Sequence, residues 1–357
     1  MAGKYRSRKD KNKVTDIRAT PTAREAKPPR PPTREEIRAN NKASFETARD
    51  LFDLSCLQGF EEELVEMNRG KVGPPFRYTD SMVFWISLIM SYLNLDFRKA
   101  AGVAAGFLAS HGYPFPDYTT LHKRSIELSG SGVLGAPPED ARVIARFVRT
   151  DVIDRARRCA VDSTGPNLSK TTLWRMTKWK VGPKYRGWLK LHCLVDIDTN
   201  EILAWMLTEE MFGDSAAFSF LTELVFGAGH DISEVYADAA YHGVENWKDM
   251  VGHDVAFVVR FLSSTVPKSR GCMARGRAAA EWCSLPYDEW VERTGYGRRW
   301  KVECTFSDFK RLIGECIDAT SNDGMVRETF FKVLAFNIHK GIRASILRIT
   351  GNGVPVG

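Results

Sequence analysis

Hydrophobic positions change their spacing twice along the chain. Residues 1 to 42 carry few large apolar side chains among their Lys, Arg, Pro and Thr. Too little surface can be buried there for a core, so a disordered basic arm is expected. From 43 to 131 apolar residues recur at helical intervals. Phe45, Leu51, Leu54 and Leu57 open this stretch, and Thr79 or Asp80 can cap an apolar helix from Ser81. A third helix is expected at 97–110 and is broken by the Pro-containing run from Gly112 to Pro116. Asp117 or Thr119 then opens a fourth helix that displays His122, Lys123 and Arg124. From 157 the period shifts to that of strands. Cys159 to Val161 leads into Asp162, and Leu189, Leu191, Cys193 and Val195 alternate with Lys190 and His192. Asp196 to Asn200 has turn chemistry, which predicts a hairpin returning through Glu201 to Leu207. A helix capped by Asp214, a strand from Ile232 to Ala237, a helix at 244–251 and a strand at 255–261 follow. A less regular stretch, 262–297, precedes a long helix at about 298–313, and a last helix carries Phe330, Phe331, Leu334 and Ile338.

Three strands, a helix, a strand, a helix, a strand and a final helix is the element order of an RNase H-like fold. The fold class expected is therefore α/β, with a mixed five-stranded sheet flanked by helices and a small helical domain in front. The divisions expected are the arm at 1–42, the helical domain at 43–131, a linker at 132–156 and the α/β domain at 157–348. A small insertion falls at 262–297 and a flexible tail at 349–357. The front domain's helix, Pro-containing turn and short basic helix resemble a helix-turn-helix DNA reader. A plain helical domain with a solvated basic face is the alternative from that segment alone.

In this order of elements, three carboxylates fall where chemistry is usually placed. Asp162 is expected at the end of the first strand and Asp238 at the end of the fourth, which lies beside it, so both open on the crevice at the strand ends. Glu303 comes from the helix expected to cross that point. Hard cations such as Mg²⁺ take oxygen ligands, and two of them about 4 Å apart can activate an attacking oxygen and stabilise a leaving one. Along the helix, Val302, Phe306, Phe309 and Ile313 form an apolar stripe. Tyr296, Arg299, Glu303 and Lys310 form a second stripe about a quarter-turn away, where Arg299 and Lys310 could grip phosphates on either side of a ligand. An exposed helix with a fortuitous polar stripe is the alternative reading.

The spacing Tyr296-x₂-Arg299-x₃-Glu303-x₆-Lys310 resembles the signature of DDE-class insertion-sequence transposases, in the branch of insertion-sequence families four and five. Val161 to Gly165 looks like that family's first-Asp motif and Tyr236 to Gly243 like its second, with His242 an unusual residue after Tyr241. The resemblance implies that Asp162, Asp238 and Glu303 are catalytic metal ligands for two Mg²⁺ ions, with Mn²⁺ as a substitute. It also implies that Tyr296, Arg299 and Lys310 contact transposon-end double-stranded DNA, that freed 3′-OH ends are joined to target DNA, and that the active species is a homodimer. Prokaryotic, nucleoid-associated, cytoplasmic localisation is expected on the same ground. Residues 170–188 add a run in which Lys178, Trp179 and other cations and aromatics interleave; rings stack on unpaired bases while cations follow phosphates. Aromatics that simply pack on the core would give the same run. Two other functions stay open: an RNase H-like nuclease without strand transfer, and a catalytically silent DNA-binding regulator.

Charge and cysteine usage change this picture little. The 357 residues contain 51 Lys and Arg against 44 Asp and Glu, a surplus of +7 that suits a polyanionic partner. The most apolar segment, 82–95, is interrupted by Ser87, Ser91 and Asn94 and is shorter than the roughly 20 residues that span a bilayer, so no membrane association is expected. Seven scattered cysteines without a Cys-x-x-Cys pair read as reduced thiols. No organic cofactor is expected.

Overall fold

The computed structural model describes residues 33–35, 38, 54–129, 148–150, 156–168, 189–340 and 344–346. All of the basic arm but residues 33–35 and 38, the linker segment around Pro137, the tail and the loop carrying Lys178 and Trp179 lie outside the described residues.

Four helices open the described chain: α1 (Phe60–Asn68), α2 (Asp80–Tyr92), α3 (Phe97–Ser110) and α4 (Tyr118–Ser129). Each start has a local cause. Thr79 accepts from the Met82 N–H to cap α2, Asp96 accepts from the Arg98 and Lys99 N–H groups to cap α3, and Asp117 accepts from those of Thr119 and Thr120 ahead of α4. Among the described residues no helix is long and apolar enough to cross a membrane.

The α/β portion contains β1 (Val148–Thr150), β2 (Arg157–Thr164), β3 (Asn167–Leu168), β4 (Leu189–Asp196) and β5 (Ile202–Glu209). Then come α5 (Asp214–Gly227), β6 (Ile232–Ala237), α6 (Val244–Gly252), β7 (Ala256–Val259), α7 (Met273–Ser284), α8 (Tyr287–Thr294), α9 (Trp300–Ile313), β8 (Cys316–Ile317), α10 (Asn322–His339) and β9 (Ala344–Ile346). The five-stranded sheet has the order β5-β4-β2-β6-β7. β2, β4 and β5 run antiparallel, whereas β6 and β7 run parallel to β2. This is the mixed sheet of an RNase H-like core. Two short pairs, β3 with β8 and β1 with β9, lie outside it.

Side chains alternate across the sheet and so divide two cores. Ala160, Leu191, Cys193, Val195 and Tyr236 face Val302, Phe306, Phe309 and Ile313 of α9. The same cluster runs on through Met325, Phe331 and Phe336 of α10 to Met82, Phe84, Trp85 and Ile86 of α2. Cys159, Val161, Leu194, Met206, Val235 and Ala237 face the other way, onto Phe218 and Leu221 of α5 and Trp247 of α6. The front helices thus share a core with α9 and α10.

The insertion takes a helical form, and one expectation is corrected. The stretch 262–297 holds two helices, α7 and α8; Trp282 and Tyr287 flank Trp290, with the Trp282 and Trp290 ring centroids 4.7 Å apart. Asp214 does not cap α5. The cap position is Gly213, and Asp214 is the first helical residue.

Candidate active site

Two carboxylates follow the paired segments of adjacent strands. β2 and β6 pair in parallel with Ala160 beside Tyr236. The pairing ends there; Asp162 and Asp238 each lie two residues further along, near enough that the Asp238 charge raises the Asp162 carboxyl. Asp162 stands two residues before the end of β2, which runs on to Thr164; a strand-final position was expected. Its Oδ1 accepts from the Ser163 N–H at 2.8 Å. Asp238 follows the last residue of β6 and caps a short 3₁₀ turn, Ala239–Tyr241, by accepting from the Ala240 N–H at 2.8 Å.

Glu303 lies in the first turn of α9. The apolar stripe of that helix is buried as its spacing demands, with Val302, Phe306, Phe309 and Ile313 at most 7% exposed. Seating that stripe on the sheet turns Glu303 toward the strand ends. Arg299 then joins the two elements. Its Nη1 donates to Asp162 Oδ2 at 3.0 Å and its Nη2 to Glu303 Oε1. Both nitrogens belong to one guanidinium, so the two carboxylates lie within its span plus two hydrogen bonds.

Electrostatics reports the same crowding. Burial pushes the Asp162 carboxyl above its usual range; the Ser163 N–H and the Arg299 guanidinium pull it down, and the Asp238 and Glu303 carboxylates raise it. Burial also pushes the Tyr241 phenol far up, aided by the charges of Asp214, Asp162 and Asp238. Among the described residues, no three His, Cys, Asp or Glu side chains enclose a cation position as they stand. Arg299 supplies the positive charge between Asp162 and Glu303.

The remaining expected site residues divide. Lys310 is half-buried on α9 and forms none of the ion pairs found among the described residues. His122 and Lys123 are exposed on α4. Arg124, three residues from Leu121 and four from Leu128, is turned inward instead. It is 8% exposed, pairs with Asp80 and with Glu127 at 3.0 Å, and stacks on the Phe76 ring at 4.1 Å. Tyr296 is also withdrawn, 7% exposed with its ring 4.9 Å from that of Trp290, and burial pushes its phenol up to about 12. Tyr296 and Arg299 sit in a 3₁₀ turn, Tyr296–Arg299, ahead of α9 rather than within it. That turn, wound about three residues to the turn, breaks the stripe expected from α-helical spacing.

Other acidic groups are occupied elsewhere. Asp196 accepts from the Asp198 N–H at 2.9 Å in the hairpin and pairs with the buried Arg157 at 3.1 Å, while Asp198 pairs with Arg158. His192 lies on the opposite face of the sheet from Asp162, fully buried, with Nε2 2.8 Å from Thr208 Oγ1. A further contact joins Arg298 to β6. Arg298 Nη1 donates to the Tyr236 hydroxyl at 2.8 Å, and that hydroxyl donates to Glu234. The clasp ties the turn before α9 to the strand that leads into Asp238. The strand alternation that puts Tyr236 on the α9 face was its only signal.

Comparison with known proteins gives three findings. The profile of the family described as "Transposase DDE domain" matches residues 154–338. A Drosophila P element transposase strand transfer complex is similar at 10% identity, covering 82% of this chain and 70% of that chain with a TM-score of 0.31. A simian T-cell lymphotropic virus intasome, in complex with PP2A regulatory subunit B56 gamma, is similar at 13% identity, covering 60% of this chain and 67% of that chain with a TM-score of 0.21.

Proposed function

Because the chain belongs to the transposase DDE domain family, we propose that it is the transposase of an insertion-sequence type of element, with Asp162, Asp238 and Glu303 as the ligands of two Mg²⁺ ions. The observation that supports this most directly is the Arg299 guanidinium spanning Asp162 and Glu303, with the Asp238 charge acting on the Asp162 carboxyl.

The donor set fits such ions. All three groups offer carboxylate oxygens, the atoms that hard divalent cations take. Burial is the chief cause of the raised Asp162 carboxyl, and the Asp238 and Glu303 carboxylates add to it while Arg299 opposes them. When bound, a pair of such ions generates a nucleophile at neutral pH and stabilises the leaving oxygen of a phosphodiester. Asp162 and Asp238 contribute by rigidity, since each has one oxygen fixed by a backbone N–H. Arg299 and Lys310 flank Glu303 and suit phosphate oxygens on the two sides of the reacting bond. His122 and Lys123 on α4, with Lys178 and Trp179, would extend the DNA contact. Arg124 and Tyr296 are left out of it, because one is paired inside the front helices and the other is packed on Trp290. Pairing of two transposon ends by a homodimer completes the reading.

In vitro strand transfer tests it. Duplexes copied from the DNA flanking the coding sequence, with an exposed 3′-OH, should become joined to a target plasmid in Mg²⁺ or Mn²⁺. Asp162→Ala, Asp238→Ala and Glu303→Ala should each bind the duplex yet lose cleavage by more than the roughly 100-fold typical of removing an outer partner of a metal ligand. Cleavage at the wild-type rate by any of the three would remove that residue from the site. Cleavage without joining would make the protein a nuclease.

A further inference from the structure

Arg299 is placed to do more than hold a phosphate. Its side chain is 19% exposed, and its two terminal nitrogens are committed to two carboxylates from different elements, one on β2 and one on α9. A planar guanidinium can do this, whereas a lysine ammonium offers one point charge. Asp162 has Oδ1 engaged by the Ser163 N–H and Oδ2 by Arg299, so a cation that approaches Oδ2 meets the guanidinium there. A divalent ion and the guanidinium therefore compete for the same lone pairs. Pulling a half-buried arginine from two carboxylates is costly unless another anion receives it. A DNA phosphate, which takes the same two-pronged hydrogen bonding, is such an anion.

We propose that Arg299 is an internal counter-ion, a positioning residue that keeps Asp162 and Glu303 assembled and closes the cation position until a DNA phosphate draws the guanidinium away. This rests on the reading of Asp162, Asp238 and Glu303 as cation ligands. DNA and ion binding are then coupled reciprocally, each strengthening the other. The free protein takes up divalent ions weakly and the DNA-bound protein strongly, which confines ion loading to the assembled complex.

Mn²⁺ binding, read as the loss of the free-ion electron paramagnetic resonance signal, tests the proposal without reference to turnover. In the absence of DNA, Arg299→Gln should bind Mn²⁺ roughly tenfold more tightly than the wild type, within the range usual for coupled sites. Arg299→Lys, which keeps the charge but bridges poorly, should shift the same way by less. A duplex copied from the DNA flanking the coding sequence should tighten binding in the wild type and leave Arg299→Gln unchanged. Equal or weaker Mn²⁺ affinity in both Arg299 variants would overturn the proposal, as would a duplex that leaves the wild type unaffected. Adding Asp162→Asn to Arg299→Gln separates the two readings. The gained binding should vanish; if it persists, the ions sit elsewhere and the assignment of the carboxylates fails, whatever Arg299 does.

Discussion

Asp214 begins α5, where its carboxylate meets Lys190 Nζ at 3.0 Å and lies 3.3 Å from His192 Nδ1. The His192 ring, then Lys190 and Ser163, hold the Asp214 carboxyl well below the usual carboxylate range, against the opposing effect of burial. A carboxyl depressed in the folded protein adds stability above its unfolded value of 3.8 and loses it as pH falls through the folded one. Asp214→Asn should therefore cost about 1.5–3 kcal/mol at neutral pH, the worth of hydrogen bonds to a charged group. The cost should shrink steadily as urea denaturation is repeated below about pH 4. A variant as stable as the wild type at neutral pH, or a gap unchanged by acid, would show that the pair adds nothing. Sequence pattern made Asp214 a helix cap because Asp is common there; only the fold brings Lys190 and His192 across from β4. Asp162 and Glu303 were readable in a way Asp214 was not, because strand parity and an apolar helical stripe fix which way a side chain faces. Their tie through Arg299 was not, since periodicity gives a face and not what stands opposite it.

Between residue and molecule, the segment from α8 to α9 shows where periodicity fails. Gly295 closes α8 at φ 68°, in the left-handed region, and also opens the Tyr296–Arg299 turn. A Cβ there would stand 3.3 Å from Arg298 Nη1 and 3.5 Å from the Tyr236 hydroxyl. Backbone conformation and close approach both favour glycine. Continuing an α-helical count back through this turn puts Tyr296 beside Arg299, yet the tighter turn rotates the ring onto Trp290. The bounds of α7 and α8 are not legible because the apolar residues of α7 are mostly alanines, and α8 is eight residues long with two aromatics in place of a stripe. Gly295→Ala should cost about 1–2 kcal/mol from the left-handed conformation alone. It should also loosen the Arg298–Tyr236 clasp and with it the start of α9. Urea denaturation checks the first effect, and amide exchange at Arg299 to Glu303 the second. Unchanged stability and exchange would mean that the turn is not fixed by this glycine.

At the scale of the whole chain, the element order predicted the sheet and its two helical layers, but not what the front helices do. Their apolar spacing was compatible with a small domain of its own. In the structure, α2 lies against α10, with the Phe84 and Phe331 rings 5.6 Å apart, and Met82, Val83, Phe84, Trp85 and Ile86 are all at most 2% exposed. A helix buried on nearly every side cannot be read from a stripe, because it has none. The consequence is that the α/β portion lacks a finished core without α2. Each large side chain of α2 that loses its partners forfeits about 1.5–3 kcal/mol, and several together exceed the roughly 5–15 kcal/mol that holds a protein folded. A fragment of residues 148–357 should therefore aggregate or bind hydrophobic dyes and melt without a cooperative transition. Co-expression with residues 43–131 should recover a soluble complex that melts cooperatively. Calorimetry and gel filtration distinguish the outcomes. A monodisperse fragment with its own sharp transition would mean that the sheet and α10 complete a core alone, and that the front helices dock on a finished surface.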